Sequence, residues 1–404
     1  MAGCTRFEAL DGWRGICACL VAIMHFHIFS HAYDNLFIRH AGLFVDFFFV
    51  LSSFVITHAY GNKLANLVDV RAFVVRRFGR LWPLHAVMLL AFVTATVGKS
   101  LAGALGLMSS SGPMFEGSHS LASIGTNVLL VQALGIHDDD TWNAPGWSIS
   151  TEFYTYLIFA LSCYAAAIRR RQLPWVVAML VAAGSAGVVF AFSPKLMGAT
   201  YDFGLWRCLY GFFIGHLAYR VWVHLAARAS WIGHMEFPVI AIVVLFVTYF
   251  GQGHGAMAAP FVFSLVVICF AFEGGILSAL LKMRPFVLLG KWSYSIYMVH
   301  AFIIHCLFVG VELLRDPQAS PIQLLPMEGV VYAVPTIVVG GKLAGDVAVL
   351  GYLALVLATA ACTYKIVEAP GRRFFNKLAA RSTETRSRSV TWRAGAAASS
   401  DPPR

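Results

Sequence analysis

The chain is a succession of apolar stretches separated by short, arginine-rich loops. Several stretches reach the roughly 20 residues that a helix needs to cross a bilayer. In lipid the backbone finds no water, so such stretches are stable only as helices or as strands of a closed barrel. A barrel would show short segments of alternating hydrophobicity, and none is visible. Only 12% of the residues are charged and 59% are hydrophobic, against about 25% charged in a soluble domain. The sequence therefore predicts an all-α polytopic membrane protein. Ten spans are read, roughly at 12–30, 42–60, 81–98, 147–166, 174–192, 203–222, 237–251, 257–273, 287–309 and 346–366.

Lysine and arginine set the expected orientation. Lys63, Arg71, Arg76, Arg77 and Arg80, then Arg169 to Arg171, Arg228, Lys282 and Arg284 fall on one side; only Arg39, Lys99, Lys195, Arg315 and Lys342 fall on the other. The richer side is expected to be cytoplasmic, with both termini there. This scheme requires the apolar stretch 121–134 to be short, re-entrant or interfacial. It also keeps a weak apolar piece near 329–341 outside the membrane. Residues 1–377 form the expected membrane domain, and 378–404, without periodicity, a disordered basic cytoplasmic tail. The net charge of +10 is accounted for by these loops, so nucleic acid is not an expected partner. Eight cysteines show no CxxC or metal-ligand spacing, and no metal is expected. The first apolar run lacks a small-residue cleavage site and is expected to be retained.

Ionisable residues inside spans are costly and usually functional. In the first span Arg14 and His25 are 11 residues apart, about three turns and 16 Å of helix, on one face. His25 is a candidate general base; the structural alternative is a core histidine bonded to a neighbouring helix. Asp46 sits in a phenylalanine-rich second span, where it can orient a histidine or pair with an arginine. Arg76, Arg77 and Arg80 occupy one turn before Pro83, a candidate phosphate clamp or plain positive-inside anchoring. Glu152 enters the fourth span behind Trp147 and Ser148, and Arg207, early in the sixth, can pair with Glu152 or Asp46. His300 is a second deep histidine, in Ser293-Tyr294-Ser295-Ile296-Tyr297-Met298-Val299-His300, and Glu368 is a candidate structural partner for a loop arginine.

In this order the pieces resemble acyltransferase family 3, the bacterial membrane acyltransferases that O-acetylate surface glycans. The motifs are Arg14 with His25, the phenylalanine-rich stretch ending Leu51-Ser52-Ser53-Phe54, Arg76/Arg77/Arg80 with Pro83, Trp147-Ser148 with Glu152, Ser293-Tyr294 with Tyr297 and His300, and Glu368 with Pro370. Together they cover roughly residues 6–375. Ser53 stands where the family usually has Gly, and Ala369 where it often has Arg. The resemblance implies a bacterial inner-membrane enzyme with about ten helices. It implies acetyl-CoA as co-substrate and a hydroxyl acceptor on a glycan, lipid-linked sugar or small metabolite. His25, Glu152 and Asp46 become the expected catalytic group, with Asp46 or Glu152 orienting His25. Arg14, Arg76, Arg77 and Arg80 become the expected CoA site, and Trp147, Ser148, Arg207, Tyr297 and His300 the expected acceptor site. The competing class is a proton-coupled secondary transporter, which buried His, Asp, Glu and Arg would also suit; against it stands the lack of visible inverted repeats.

Overall fold

The computed structural model describes residues 6–106, 114–313, 322–325 and 334–381. Its main helices are α1 (Glu8–His25), α2 (Phe44–Tyr60), α3 (Leu67–Ala104), α4 (Leu121–Val128), α5 (Gly146–Ile168), α6 (Trp175–Phe192), α7 (Gly204–Ala226), α8 (Glu236–Phe250), α9 (Ala259–Phe270), α10 (Arg284–Leu313) and α11 (Lys342–Thr363). A two-stranded antiparallel ribbon, β1 (Ile322–Leu325) and β2 (Val334–Ile337), stands beside them.

Among the described residues, seven helices are long and apolar enough to cross a membrane: α2 with its lead-in (Ala41–Tyr60), α3, α5, α6, α9 with its lead-in (Gly253–Phe270), α10, and α11 with its continuation to Arg381. The other three expected spans are also helices, but each departs from an apolar 20-mer. Helix α1 carries Glu8, Asp11 and Arg14 in 18 residues. Helix α7 has the length, at 23 residues, but holds Arg207, His216 and Arg220. Helix α8 is apolar but only 15 residues long. The bundle inverts the soluble pattern: Leu180, Phe192 and Tyr249 point outward, while Asp46, Arg207 and His300 are buried, as expected of a chain whose solvent is lipid.

Two sequence expectations change, for the arginines before Pro83 and the boundary at 378, and two stand, for 329–341 and 121–134. The arginines before Pro83 lie within the 38-residue α3, which starts at the Asn66 cap, rather than on a loop. The stretch near 329–341 contains strand β2 at 334–337, while 329–333 lie outside the described residues. The helix continuing α11 runs to Arg381, past the expected boundary at 378, and residues 382–404 lie outside the described residues. The stretch 121–134 contains only the eight-residue α4, about 12 Å at 1.5 Å per residue, too short to span.

Helix α1 packs along α10, and α2 along α7. The first crossing needs two glycines. A Cβ on Gly15 would lie 2.5 Å from the Leu289 carbonyl carbon, and one on Gly290 would strike the Asp11 carbonyl. Small residues let the two backbones close up, the usual device for joining helices in lipid. Gly15→Val is therefore expected to destabilise the protein by about 1–3 kcal/mol or more, read as a lower melting temperature of the detergent-solubilised protein. At its other end α1 is clamped from outside the bundle. Phe29 N–H donates to the Ile337 carbonyl at 2.9 Å, and Ile337 N–H to that of His27 at 3.0 Å. From α11, the Tyr352 hydroxyl donates to the Ala22 carbonyl at 3.1 Å, and its ring stacks on Phe26. The last turn of α1, which carries His25, is thus held on two sides.

Candidate active site

Two cavities lie inside the bundle and share Val45 and Tyr297 as wall residues. The first, about 170 Å³, is lined by Arg14, Arg77, Arg80, Ser52, Glu152 and Tyr294. The second, about 410 Å³, is lined by His25, Trp147, Arg207, Asp140 and Lys195. Tyr297 stands where they meet, with its hydroxyl hydrogen-bonded to that of Ser148 at 3.0 Å.

The first cavity is cationic, and its arginines are held rather than floppy. Helix α3 crosses the continuation of α11 at Gly79 and Pro83, where a Cβ on Gly79 would meet Phe375 and one on Gly371 would meet Pro83. That crossing fixes the turn carrying Arg77 and Arg80. The Arg77 guanidinium lies over Tyr60, Phe73 and Tyr156 at 5.3, 5.4 and 5.7 Å, and its buried Nε has no hydrogen-bond partner among the described residues. Arg80 lies within electrostatic range of Glu368 and Glu152. Arg14 pairs loosely with Asp11 at 3.5 Å. Arg76 points elsewhere: it is half-buried but does not line the cavity.

Glu152 does not reach His25. Its Oε1 accepts from the Ser52 hydroxyl at 2.7 Å and from the Tyr156 hydroxyl one turn on. Nor does Asp46 orient a histidine. Arg207 Nε and Nη2 grip its two oxygens at 3.0 and 2.7 Å, and Nη1 donates to the Ala199 carbonyl at 3.0 Å. Asp46 is 0% and Arg207 3% exposed. The Trp147 ring lies 5.1 Å from the same guanidinium, so Trp147, Arg207 and Asp46 form one wall. The expectation that Asp46 or Glu152 orients His25 is thus corrected. A deeply buried carboxylate takes the partner that satisfies both its oxygens, and the guanidinium fork does this better than one ring nitrogen.

His25 is oriented by its own helix. Nδ1 lies 2.9 Å from the Val21 carbonyl. A carbonyl can only accept, so Nδ1 carries the proton and Nε2 holds the lone pair. The ring packs against His300, centroids 4.9 Å apart. His300 is fully buried, neither of its ring nitrogens has a partner among the described residues, and it does not line the second cavity. It backs the base rather than meeting an acceptor there. Glu368 accepts from Ser295 at 2.8 Å.

Several residues here carry no strong sequence signal. Tyr156 is marked only by standing four residues after Glu152, and Lys195 by lying in the loop between α6 and α7. Asp140 ends an acidic run, and burial pushes its carboxyl up to about 6. His85 is buried, with Nε2 3.1 Å from the Asn127 carbonyl; it ties the last turn of α4 to α3.

Residues 7–341 match the acyltransferase domain family (Acyl_transf_3). A curated relative, "Protein 2 in picA locus" of Rhizobium radiobacter, is 40% identical over 94 residues, which is 22% of this chain and 45% of that protein. The chain thus spans about half the length of that relative. No solved structure matches significantly. With most of its length inside the family match, a helical bundle suited to lipid, and polar cavities within it, the chain belongs to the membrane acyltransferases of the acyltransferase domain family.

Proposed function

We propose that the protein moves an acyl group, acetyl by preference, from cytoplasmic acyl-CoA to a hydroxyl of a glycan, lipid-linked sugar or related acceptor, at the inner membrane of a bacterium. The observation that carries this reading is the pair of cavities meeting at Tyr297, one bordered by three guanidinium groups and the other by a histidine with a free Nε2 lone pair. The first suits phosphates and a slim acyl-pantetheine arm: at 170 Å³ it has room for about six waters at roughly 30 Å³ each, enough for a chain and not for a nucleotide. The second is wide enough for a ring, with Trp147 as a flat wall.

In this reading the nucleotide phosphates dock on Arg14, Arg77 and Arg80, and the arm runs toward Tyr297. The distance is sensible, since Arg14 and His25 are separated by about 16 Å along α1. The acceptor hydroxyl enters the second cavity and gives its proton to His25 Nε2. Its oxygen attacks the thioester carbonyl, so a C–O bond forms as the C–S bond breaks. The proton then passes from His25 to the departing thiolate, and CoA leaves as the thiol. Arg207 and Trp147 hold the acceptor wall, and the hydrogen-bonded Tyr297–Ser148 pair guards the junction.

The direct test is binding of CoA to the purified protein and transfer of labelled acetyl from acetyl-CoA to material in the membranes that contain it. Absence of CoA binding would sink the reading and favour the proton-coupled transporter. Within it, Arg77 and Arg80 should outrank Arg76, which misses the cavity. Arg80→Ala is expected to weaken CoA binding at least about tenfold, the loss of one charge-assisted contact, and Arg76→Ala less than about threefold. Calorimetry on the two variants checks the order, and equal effects would remove the clamp as drawn.

A further inference from the structure

Two more spaces follow the first cavity along α2. Leu51, Val55 and His58 border a pocket of about 180 Å³ shared with Arg6, Phe7 and Arg14. His58 and Ala59 then border a chamber of about 270 Å³ closed by Lys63, Tyr219 and Arg220. Neighbouring spaces share wall residues throughout: Arg14, Leu51 and Val55 belong to the first cavity and the pocket, and His58 and Ala59 to the pocket and the chamber. From Val45, at the junction of the two main cavities, to His58 is 13 residues of one helix, about 20 Å at 1.5 Å per residue.

The chamber is basic. Lys63, Arg220, His58, His216 and His224 line it, and no carboxylate does. His216 is 4% exposed. Its Nδ1 lies 3.0 Å from the Thr57 hydroxyl, and its buried Nε2 has no partner among the described residues. Arg220 is braced, with Nη1 donating to the Leu173 carbonyl at 2.6 Å and the guanidinium 4.7 Å from the Trp175 ring centre. Lys63 is exposed on the turn after α2, and its flexible stem can bring the ammonium over the opening.

An acyl-CoA carries two separate anionic centres, the pyrophosphate and the 3′-phosphate of its ribose. Three guanidinium groups in the first cavity match one of them. We propose that the chamber between the end of α2 and α7 binds the 3′-phosphate, with Lys63 as its mobile counter-charge. This rests on the acyl-CoA reading and extends it: the donor lies along α2, its thioester at Tyr297 and its nucleotide at His58. An anionic lipid headgroup offers the same phosphate chemistry, so the experiment must separate the two sources.

The test compares binding of CoA and 3′-dephospho-CoA to the purified full-length protein in nanodiscs, with and without phosphatidylglycerol, for the wild type, Lys63→Ala and Lys63→Glu. Because Lys63 is exposed on a turn, both variants should fold. The expected result is that the wild type binds CoA about tenfold tighter than dephospho-CoA, that Lys63→Ala shrinks this ratio, and that Lys63→Glu brings it to about one. Equal binding of the two ligands by the wild type overturns the proposal and leaves the acyl-CoA reading standing. So does a ratio that survives in both variants. Binding of neither ligand removes both. If Lys63→Glu changes both affinities equally, and only where phosphatidylglycerol is present, the chamber is a lipid headgroup site and the proposal fails.

Discussion

Acetyl transfer by His25→Ala should fall by at least about 10²-fold, the usual contribution of a positioned base, while its affinity for CoA stays within about twofold of wild type. The two halves of this expectation come from different cavities. His25 lines the second, and the arginines assigned to the donor line the first. Removing the imidazole leaves the phosphate contacts in place and takes away only the lone pair that accepts the acceptor's proton. The ring's tautomer makes the argument specific. With Nδ1 donating to the Val21 carbonyl at 2.9 Å, Nε2 is the basic nitrogen, and the clamp of β2 and α11 on the end of α1 keeps it aimed. His25→Gln places an amide near Nε2 but supplies no base, so it should be as inactive as alanine. Full transfer by either variant would dismiss His25 as the base. Loss of CoA binding in parallel would mean that the two cavities are not separate in function.

How much of this was legible in the sequence depends on the range of the interaction. The Arg14–His25 spacing lies within one helix and could be read from its 3.6-residue period, as could the apolar runs. The arginine cluster was legible as a cluster but not resolved: Arg80 shares a helix face with Arg76 at i,i+4 as well as with Arg77 at i,i+3, and only the packing around α3 puts Arg77 and Arg80 on the cavity and leaves Arg76 off it. Pairings between helices could be read only as alternatives: Arg207 was open to Glu152 or Asp46, and Asp46 to a histidine or an arginine. Asp46 and Arg207 are 161 positions apart, and only the packing of α2 on α7 decides that this carboxylate meets a guanidinium rather than a histidine. The His25–His300 contact depends in the same way on Gly15 and Gly290 letting α1 and α10 close. The stretch 329–341 reads as lying outside the membrane, but its strand β2 was not legible, because it pairs with β1 and with the chain after α1, contacts that no local pattern encodes. Hydropathy also understates α1 and α7, since a helix lined with polar groups cannot look like an apolar 20-mer, whereas α8 falls short only in length.

The Asp46–Arg207 pair supports the second large effect, on stability. Arg207→Leu is expected to destabilise the protein by about 3–5 kcal/mol, because it removes the partner of a fully buried carboxylate. Asp46→Leu should cost as much by stranding the guanidinium. Each single variant should therefore appear as a loss of the monodisperse detergent-solubilised peak and a sharply lowered melting temperature. The double variant Asp46→Leu/Arg207→Leu distinguishes a charge-pairing role from a packing one. If stability depends on the ions compensating each other, removing both restores most of the folded protein, since a buried pair replaced by apolar side chains is often neutral. Activity should not return with it. Arg207 also carries the Trp147 ring at 5.1 Å and lines the second cavity beside His25, so the refolded double variant loses the acceptor wall while its arginines in the first cavity still bind CoA. A double variant as unstable as the singles would show that the pair acts by filling space, and recovery of transfer in a stable double variant would remove Arg207 from the acceptor site.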